Sequence, residues 1–248
     1  MKILITAGGT QEPIDSVRSI TNHATGRLGA HLAEAFHQVP QVAEIHYVCP
    51  RNAVHPAGEK LIFHHIGGTL ELEETLRELI RIHRPDAIIH SMAVSDYRVR
   101  RVTTLSALAA AAQSAVGQDS YVVEQAMIET EDLRQGGKLS SSLEDMALIL
   151  EKTPKVIGQL RVQAPNAVLV GFKLLDGVSS EVLLETARRL MAENHCDFVL
   201  ANDMKTVSSS LHCGHLLDAT GGQAYFEGKE QIAQGIVQAV LRKVESNG

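Results

Sequence analysis

Short, nearly continuous apolar runs recur along the chain, and between them apolar residues return every third or fourth position. Lys2–Thr6, Ala43–Cys49, Leu61–His65, Asp86–His90, Ala167–Phe172 and Asp197–Ala201 have the length and continuity of strands buried on both faces. Thr25–Gln38, Leu70–His83 and Ser179–Asn194 carry helical spacing, and a closing helix is expected from about Lys229 to Val244. In the clearest of these, LELEETLRELIRIH, the charges lie opposite the leucines and Pro85 stops the helix. A hairpin is predicted over His215–Phe226, around Thr220-Gly221-Gly222. This alternation predicts an α/β fold: a Rossmann-like, mostly parallel sheet with helices on both faces, plus a small hairpin and lid elaboration.

The rhythm breaks between Arg98 and Gly137. There a small-residue run (ALAAAAQSAVG) predicts a short helix, SYVVEQ is β-prone, and Gly136-Gly137 gives a flexible approach to Lys138. No internal repeat or interdomain linker stands out. The reading is one domain over 1–248, with 98–137 as a lid or a dimer-contact insertion.

Ligands of parallel sheets bind beyond the carboxyl ends of the strands, where the strand order reverses. Those ends carry Gly8-Gly9-Thr10, Ser91–Tyr97, Gly171-Phe172-Lys173 and Asn202-Asp203, so four polar or glycine-marked stretches are expected on one edge. After a strand, Gly8-Gly9-Thr10 either turns backbone amides toward an anion or makes a tight turn. The stretch ITNHATGRLG (20–29) poses a similar choice: Gly26 and Gly29 open a helix, while Asn22 lies too far upstream to cap it. Asp96 could hold ribose hydroxyls or a metal, or serve only as a turn residue. Lys138 could reach a phosphate or remain solvated.

Several chemistries are disfavoured. A long segment separates Gly8-Gly9 from Gly26, so there is no compact dinucleotide fingerprint, and the second strand ends Val48-Cys49-Pro50-Arg51-Asn52 without an acidic residue for a ribose. There is no Walker A sequence. Tyr97 and Arg101 share the spacing of a short-chain dehydrogenase pair, but arginine replaces the lysine and Tyr97 follows a strand. His64-His65 and His212/His215, the latter beside Cys213, lack the spacing of a four-ligand zinc site, so no metal ligand is assigned. No nucleophile motif is present.

Composition changes this picture only at its margins. A net charge of −6 and the absence of tryptophan argue against a nucleic-acid partner, so an anionic ligand would need a local cluster of cations. Three cysteines without a CxxC suit a reducing, cytoplasmic setting. No apolar run approaches the roughly 18–20 residues of a membrane span.

Taken in order, the motifs resemble phosphopantothenate–cysteine ligases of coenzyme A biosynthesis. ITAGGTQEPIDSVRSITNHATGRLG (5–29), SMAVSDY (91–97), Lys138-Leu139, TPKVI (153–157), GF (171–172) and AND (201–203) look like that family's signatures. The resemblance implies that a nucleoside triphosphate, CTP more than ATP, activates the carboxylate of 4′-phosphopantothenate, and that L-cysteine then displaces the nucleotide. It implies Asn22 as the group stabilising the oxyanion and Lys138 as the cation assisting activation. It implies Gly8, Gly9, Gly26, Ala93, Asp96, Lys138, Pro154, Lys155, Val156, Ile157 and Phe172 at the nucleotide, and Asn22 and Ala93 at the substrate. Mg²⁺ held mainly by the phosphates and a homodimer are further implications. The chain resembles the free-standing form, so no flavin is expected, and a separate flavin-dependent decarboxylase would act downstream. Departures are KLLDG (173–177) after GF and the long stretch before Lys138. A dehydrogenase-like oxidoreductase and a nucleotide-sensing module are the alternatives.

Overall fold

The computed structural model describes residues 1–134, 137–206 and 212–247. In chain order its elements are β1 (Lys2–Thr6), β2 (Gln11–Pro13), β3 (Ser19–Thr21), α1 (Arg27–His37), β4 (Glu44–Cys49), β5 (Leu61–His65), α2 (Thr69–His83), β6 (Ala87–His90), β7 (Tyr97–Thr103) and α3 (Leu105–Ser114). There follow α4 (Ser120–Ile128), β8 (Ala147–Lys152), α5 (Val156–Gln163), β9 (Val168–Leu175), α6 (Ser180–Asn194), β10 (Phe198–Asp203), β11 (Cys213–Asp218), β12 (Gln223–Glu227) and α7 (Lys229–Asn247).

Eight strands form one sheet in the order β12-β11-β10-β9-β6-β1-β4-β5, parallel from β10 to β5 and antiparallel at β11 and β12. The expected Rossmann-like fold is thus present. From β1 the chain moves to β4 and β5 on one side and comes back to β6 on the other, so the strand order reverses between β1 and β6. Alternate side chains of β1 feed two cores. Ile3 and Ile5 pack with Leu32 and Phe36 of α1 and Ile236 and Val240 of α7. Leu4 joins Leu72 and Leu76 of α2, Leu160 of α5 and Leu183 of α6 on the opposite face.

Glu12 of β2 fixes the start of α2 from a distance. Its buried carboxylate accepts from Thr69 N at 2.9 Å and from Thr69 Oγ1 at 2.6 Å, which satisfies a helix amide that no neighbouring side chain caps.

The structure departs from the sequence reading around residues 11–21 and in the irregular region with the strand that follows it. The first residues of that region belong to β7, which pairs antiparallel with β8, and β2 pairs with β3; none of these strands was expected. The two ribbons cover a small third core of Val99, Val102 and Leu139, with Ile14, Ile20 and Leu148 at its margin. SYVVEQ is helical: Asp119 accepts from Val122 N at 3.0 Å, and α4 then packs on α3. That cap and the partner helix outweigh the β preference of Val122-Val123. Neither α3 nor α4 buries a residue, and Leu105, Val116 and Tyr121 stand exposed.

Candidate ligand cleft at the carboxyl edge of the sheet

The β1 loop and the loop after β6 meet where the strand order reverses. Gly9 bridges Ala93 in parallel fashion, Ala93 N donates to Gly8 O at 2.8 Å, and Thr10 N donates to Ala93 O at 3.2 Å. Hydroxyls lock the junction beneath: Thr10 Oγ1 donates to Ser95 Oγ at 2.9 Å, Ser95 N donates back to Thr10 Oγ1, and Thr153 Oγ1 donates to Ser95 O. This buried relay ties the first glycine loop to the segment leading into α5. The sequence reading missed it, because a threonine and a serine 85 residues apart carry no local signal.

Gly8 and Gly26 both adopt positive φ (82° and 77°), and Gly26 is the N-cap of α1. Arg27 N donates to Thr25 Oγ1 at 3.4 Å, while the next amides of the first turn have no side-chain cap and no acidic residue beside them, which leaves them to an anion. Gly29 serves packing: a Cβ there would lie 2.4 Å from Ala7 Cβ. Asn22 is exposed beside the junction, with its amide Nδ2 3.5 Å from Ala93 O and 3.4 Å from Val94 O. It therefore faces the loop that carries Ala93, and it lines neither of the two cavities nearby.

A cleft of about 650 Å³ opens over these loops. Gly8, Gly26, Ala93 and Phe172 line it, and so do His23, Lys173, Asn202 and His212. Three cations reach it, Arg27, Lys173 and Lys229, and the described lining residues include no carboxylate. In a chain of net charge −6, this is a local electropositive basin. Met92, Val94 and Phe172 separate it from a smaller cavity of about 140 Å³, lined by Asp96, Pro154, Lys155, Val156 and Ile157 above His90. Asp96 pairs there with Lys155, Nζ to Oδ1 at 2.5 Å.

Two buried imidazoles border these spaces. His90 is held down to about 4 by its burial. His212 is lowered to about 4, by burial first and then by Lys229 and His31, and neither of its ring nitrogens has a partner. The sequence reading weighed His212 only as a metal ligand and gave Arg27 and Lys229 no role at a ligand. A histidine just ahead of a strand and a lysine opening a helix look like ordinary surface chemistry until the sheet brings them to one edge.

Not every expected residue comes to the cleft. Lys138 is exposed and lines neither cavity; Leu139 N donates to Asp15 Oδ2 at 3.1 Å, which anchors this segment to the β2–β3 connection. Asp15 is itself held well below the usual carboxylate range by Arg18. Of the expected hinge, Gln135 and Gly136 lie outside the described residues. Gly9 supports the junction without lining either cavity. Gly171-Phe172-Lys173 falls within β9, not beyond it, because the strand continues through Leu174 and Leu175. In the AND segment, buried Asn202 donates to Cys213 O at 2.6 Å, while Asp203 accepts from Gly177 N and Val178 N at 3.1 Å each. Tyr97 and Arg101 lie on a strand, with Arg101 turned to Thr130 O and Glu129, so no helix-borne Tyr–Arg pair forms.

A larger groove, about 1150 Å³, lies at the amino-terminal end of the strands. Its Arg161 and Lys243 are engaged by Asp197 at 2.7 and 3.8 Å, and it receives none of the glycine loops. The cleft at the carboxyl edge is therefore the stronger candidate.

Fold and cleft together define a doubly wound α/β protein with an anion-receptive site at its topological switch point. The chain belongs to the family described as the DNA/pantothenate metabolism flavoprotein C-terminal domain, whose model matches residues 1–106 and 99–244. It is 27% identical over 252 residues to the coenzyme A biosynthesis bifunctional protein CoaBC of Methanocaldococcus jannaschii, covering 99% of this chain and 51% of that protein. The CoaBC of Thermococcus kodakarensis is 27% identical over 208 residues, 84% of this chain and 42% of that protein. The chain thus spans about half the length of the curated relatives it matches. The crystal structure of the DNA/pantothenate metabolism flavoprotein from Streptococcus pneumoniae superposes with a TM-score of 0.81 at 32% identity, covering 98% of this chain and 99% of that one. A Cab2 H337A mutant in complex with phosphopantothenate-cysteine shares the fold, with a TM-score of 0.69 at 16% identity over 99% of this chain and 87% of that one. Among the described residues, no helix is long and apolar enough to cross a membrane.

Proposed function

We propose that this chain is a phosphopantothenate–cysteine ligase that activates 4′-phosphopantothenate with CTP. The observation that carries the reading is the cleft itself: three cations, a helix N-terminus and no carboxylate among its described lining residues, in a member of a pantothenate-metabolism family. In the first step a carboxylate oxygen attacks the α-phosphorus of the nucleotide and pyrophosphate leaves, giving an acyl-nucleotide. Two anions must approach each other, and Arg27, Lys173, Lys229 and the α1 amides offset their repulsion. Lys138 would join them only by movement of its segment toward the cleft. In the second step the cysteine amine attacks the acyl carbon, an oxyanion develops, and CMP leaves with the bond electrons. Asn22 Nδ2, beside the Gly9–Ala93 junction, is the neutral donor for that oxyanion.

Asp96 and the Pro154–Ile157 segment would take the nucleoside, with Phe172 between nucleoside and phosphates. Because Lys155 pairs with Asp96, a ribose must compete for that carboxylate or bind across the pair. Mg²⁺ favours oxygen ligands and keeps most of its waters. A cleft lining without carboxylates suits an ion carried on the nucleotide phosphates, where it would neutralise charge on the leaving pyrophosphate. The reading includes L-cysteine as co-substrate, a homodimer, and a flavin-dependent decarboxylation as the next reaction. The exposed α3–α4 hairpin supports a second copy as its cover.

The test is pyrophosphate release from CTP and from ATP with phosphopantothenate, with and without cysteine. Turnover with CTP is expected, and no turnover with either nucleotide would overturn the ligase. Asn22→Asp should still release pyrophosphate and accumulate acyl-nucleotide, with cysteine transfer slowed by on the order of a hundredfold or more. Equal loss of both half-reactions would remove the oxyanion role.

A further inference from the structure

Outside the cleft, the side chains of Cys49, His55 and His65 converge at the outer edge of the sheet. Cys49 ends β4, and its Cα partner on the neighbouring parallel strand is His65, so both project from the same face. Cys49 Sγ lies 3.9 Å from His55 Nε2 and 4.0 Å from His65 Nδ1, and all three atoms fall within 4.8 Å of one another. With Zn–S near 2.3 Å and Zn–N near 2.0 Å, tetrahedral ligand atoms stand roughly 3.3–3.6 Å apart. The two sulfur–nitrogen spacings therefore need a contraction of about half an ångström, and the nitrogen–nitrogen spacing one of up to about 1.5 Å. One thiol and two imidazoles form a set suited to zinc, with a fourth position open to water.

His55 comes from the loop between β4 and β5, and that loop is held in place. Val54 N donates to Thr25 O at 3.0 Å, and Tyr47 Oη donates to Val54 O at 3.3 Å. Ala53 from the same loop backs the glycine cradle: a Cβ at Gly8 would lie 3.0 Å from Ala53 Cβ, and one at Gly26 3.3 Å.

We propose that Cys49, His55 and His65 bind a zinc ion that clamps the loop between β4 and β5 against the glycine cradle of the cleft. A rival cluster on the opposite face of the same strands, Glu44, His46 and His83, is already committed. Lys2 Nζ lies 3.0 Å from Glu44 Oε1, His46 Nδ1 lies 3.0 Å from His64 Nε2, and the His46 and His83 rings sit with centroids 3.9 Å apart. A metal there would have to displace the lysine; among the described residues no ion pair engages Cys49, His55 or His65.

The test titrates the chelator-stripped full chain with Zn²⁺ by calorimetry and with Co²⁺ by absorption. One equivalent should bind, and cobalt should show tetrahedral d–d bands with a thiolate-to-metal charge-transfer band. His55→Ala alters only an exposed loop residue, so it should fold, and it should weaken zinc binding by on the order of a hundredfold, at or beyond the loss from an outer-sphere partner. Cys49→Ala should abolish the thiolate band, whereas His83→Ala should bind as the wild type does. Absence of the band in the wild-type chain, wild-type affinity in His55→Ala, or loss of binding in His83→Ala would each overturn the site. Amide exchange over residues 51–57 should slow when zinc is added; unchanged exchange would overturn the clamp.

Discussion

Lowering the pH should destabilise this fold through His90. The imidazole is buried at the end of β6, its Nδ1 is 3.0 Å from Thr6 Oγ1, and burial holds it down to about 4. The Thr6 hydroxyl accepts from Met92 N at 3.3 Å, which leaves its own proton to point at Nδ1, and only the neutral ring can accept it. Because the folded value lies below the unfolded one, the stability is fully present above about 6.5 and is lost as the pH falls through the folded value near 4. Over that window the unfolded chain takes up a proton that the native chain refuses. A difference of about two and a half units corresponds to about 3 kcal/mol once both values are passed, and to about 2 kcal/mol at pH 5. Urea unfolding at pH 7 and pH 5, wild type beside His90→Asn, isolates the effect, since other groups titrate in both proteins. The wild type should lose about 2 kcal/mol more than the variant, a relative midpoint shift of roughly 1 M urea. Equal losses in the two proteins would refute the reasoning, whatever their absolute stabilities.

Gly29→Ala should destabilise the protein by about 1–2 kcal/mol in thermal or urea unfolding: the new Cβ meets the backbone-fixed Cβ of Ala7 at 2.4 Å, and overpacking exceeds the gain in helix propensity. A stabilised variant would show that α1 can slide freely over β1. Glu12→Ala should cost about 2–3 kcal/mol by removing the charged acceptor from Thr69 N and Oγ1, and exchange at the first turn of α2 should speed up selectively. The double variant Lys173→Gln/Lys229→Gln should weaken CTP binding about tenfold or more in calorimetry and flatten its salt dependence; unchanged affinity would remove the cleft as the phosphate site.

Much of the sheet was legible because each central strand is apolar without alternation and each outer helix has one apolar face. What escaped were short ribbons stabilised by distant partners. β2 has three residues, β7 is interleaved with arginine, and β8 is a four-residue apolar run that ends in Glu151-Lys152, so none reads as a strand of the central sheet. The helix over SYVVEQ was legible in principle from Asp119, since a capping residue just before a run outweighs two valines within it. At the site, the glycines announced themselves because backbone geometry leaves a sequence mark at Gly8 and Gly26. The cations did not, because a lysine's role depends on which edge of the sheet it reaches.

That distinction bears on Lys138 and Lys173. Lys138 follows a glycine pair, the stronger local signal, yet its neighbour Leu139 is bonded to Asp15 and the lysine lines neither cavity. Lys173 replaces the residue that commonly follows GF in the family's pattern, the weaker signal, yet β9 carries it into the cleft beside Phe172. A parallel strand fixes its residues at one height on the sheet edge, whereas a loop lysine is placed only by its tether. The strand-borne lysine therefore already faces an incoming anion, and the loop-borne one requires the Asp15 tether to yield. If both act, Lys173→Gln should weaken ground-state binding of CTP, while Lys138→Gln should leave binding intact and slow pyrophosphate release. Equal loss of affinity in both variants would mean that Lys138 already rests at the phosphates and that its tether to Asp15 has no mechanistic weight.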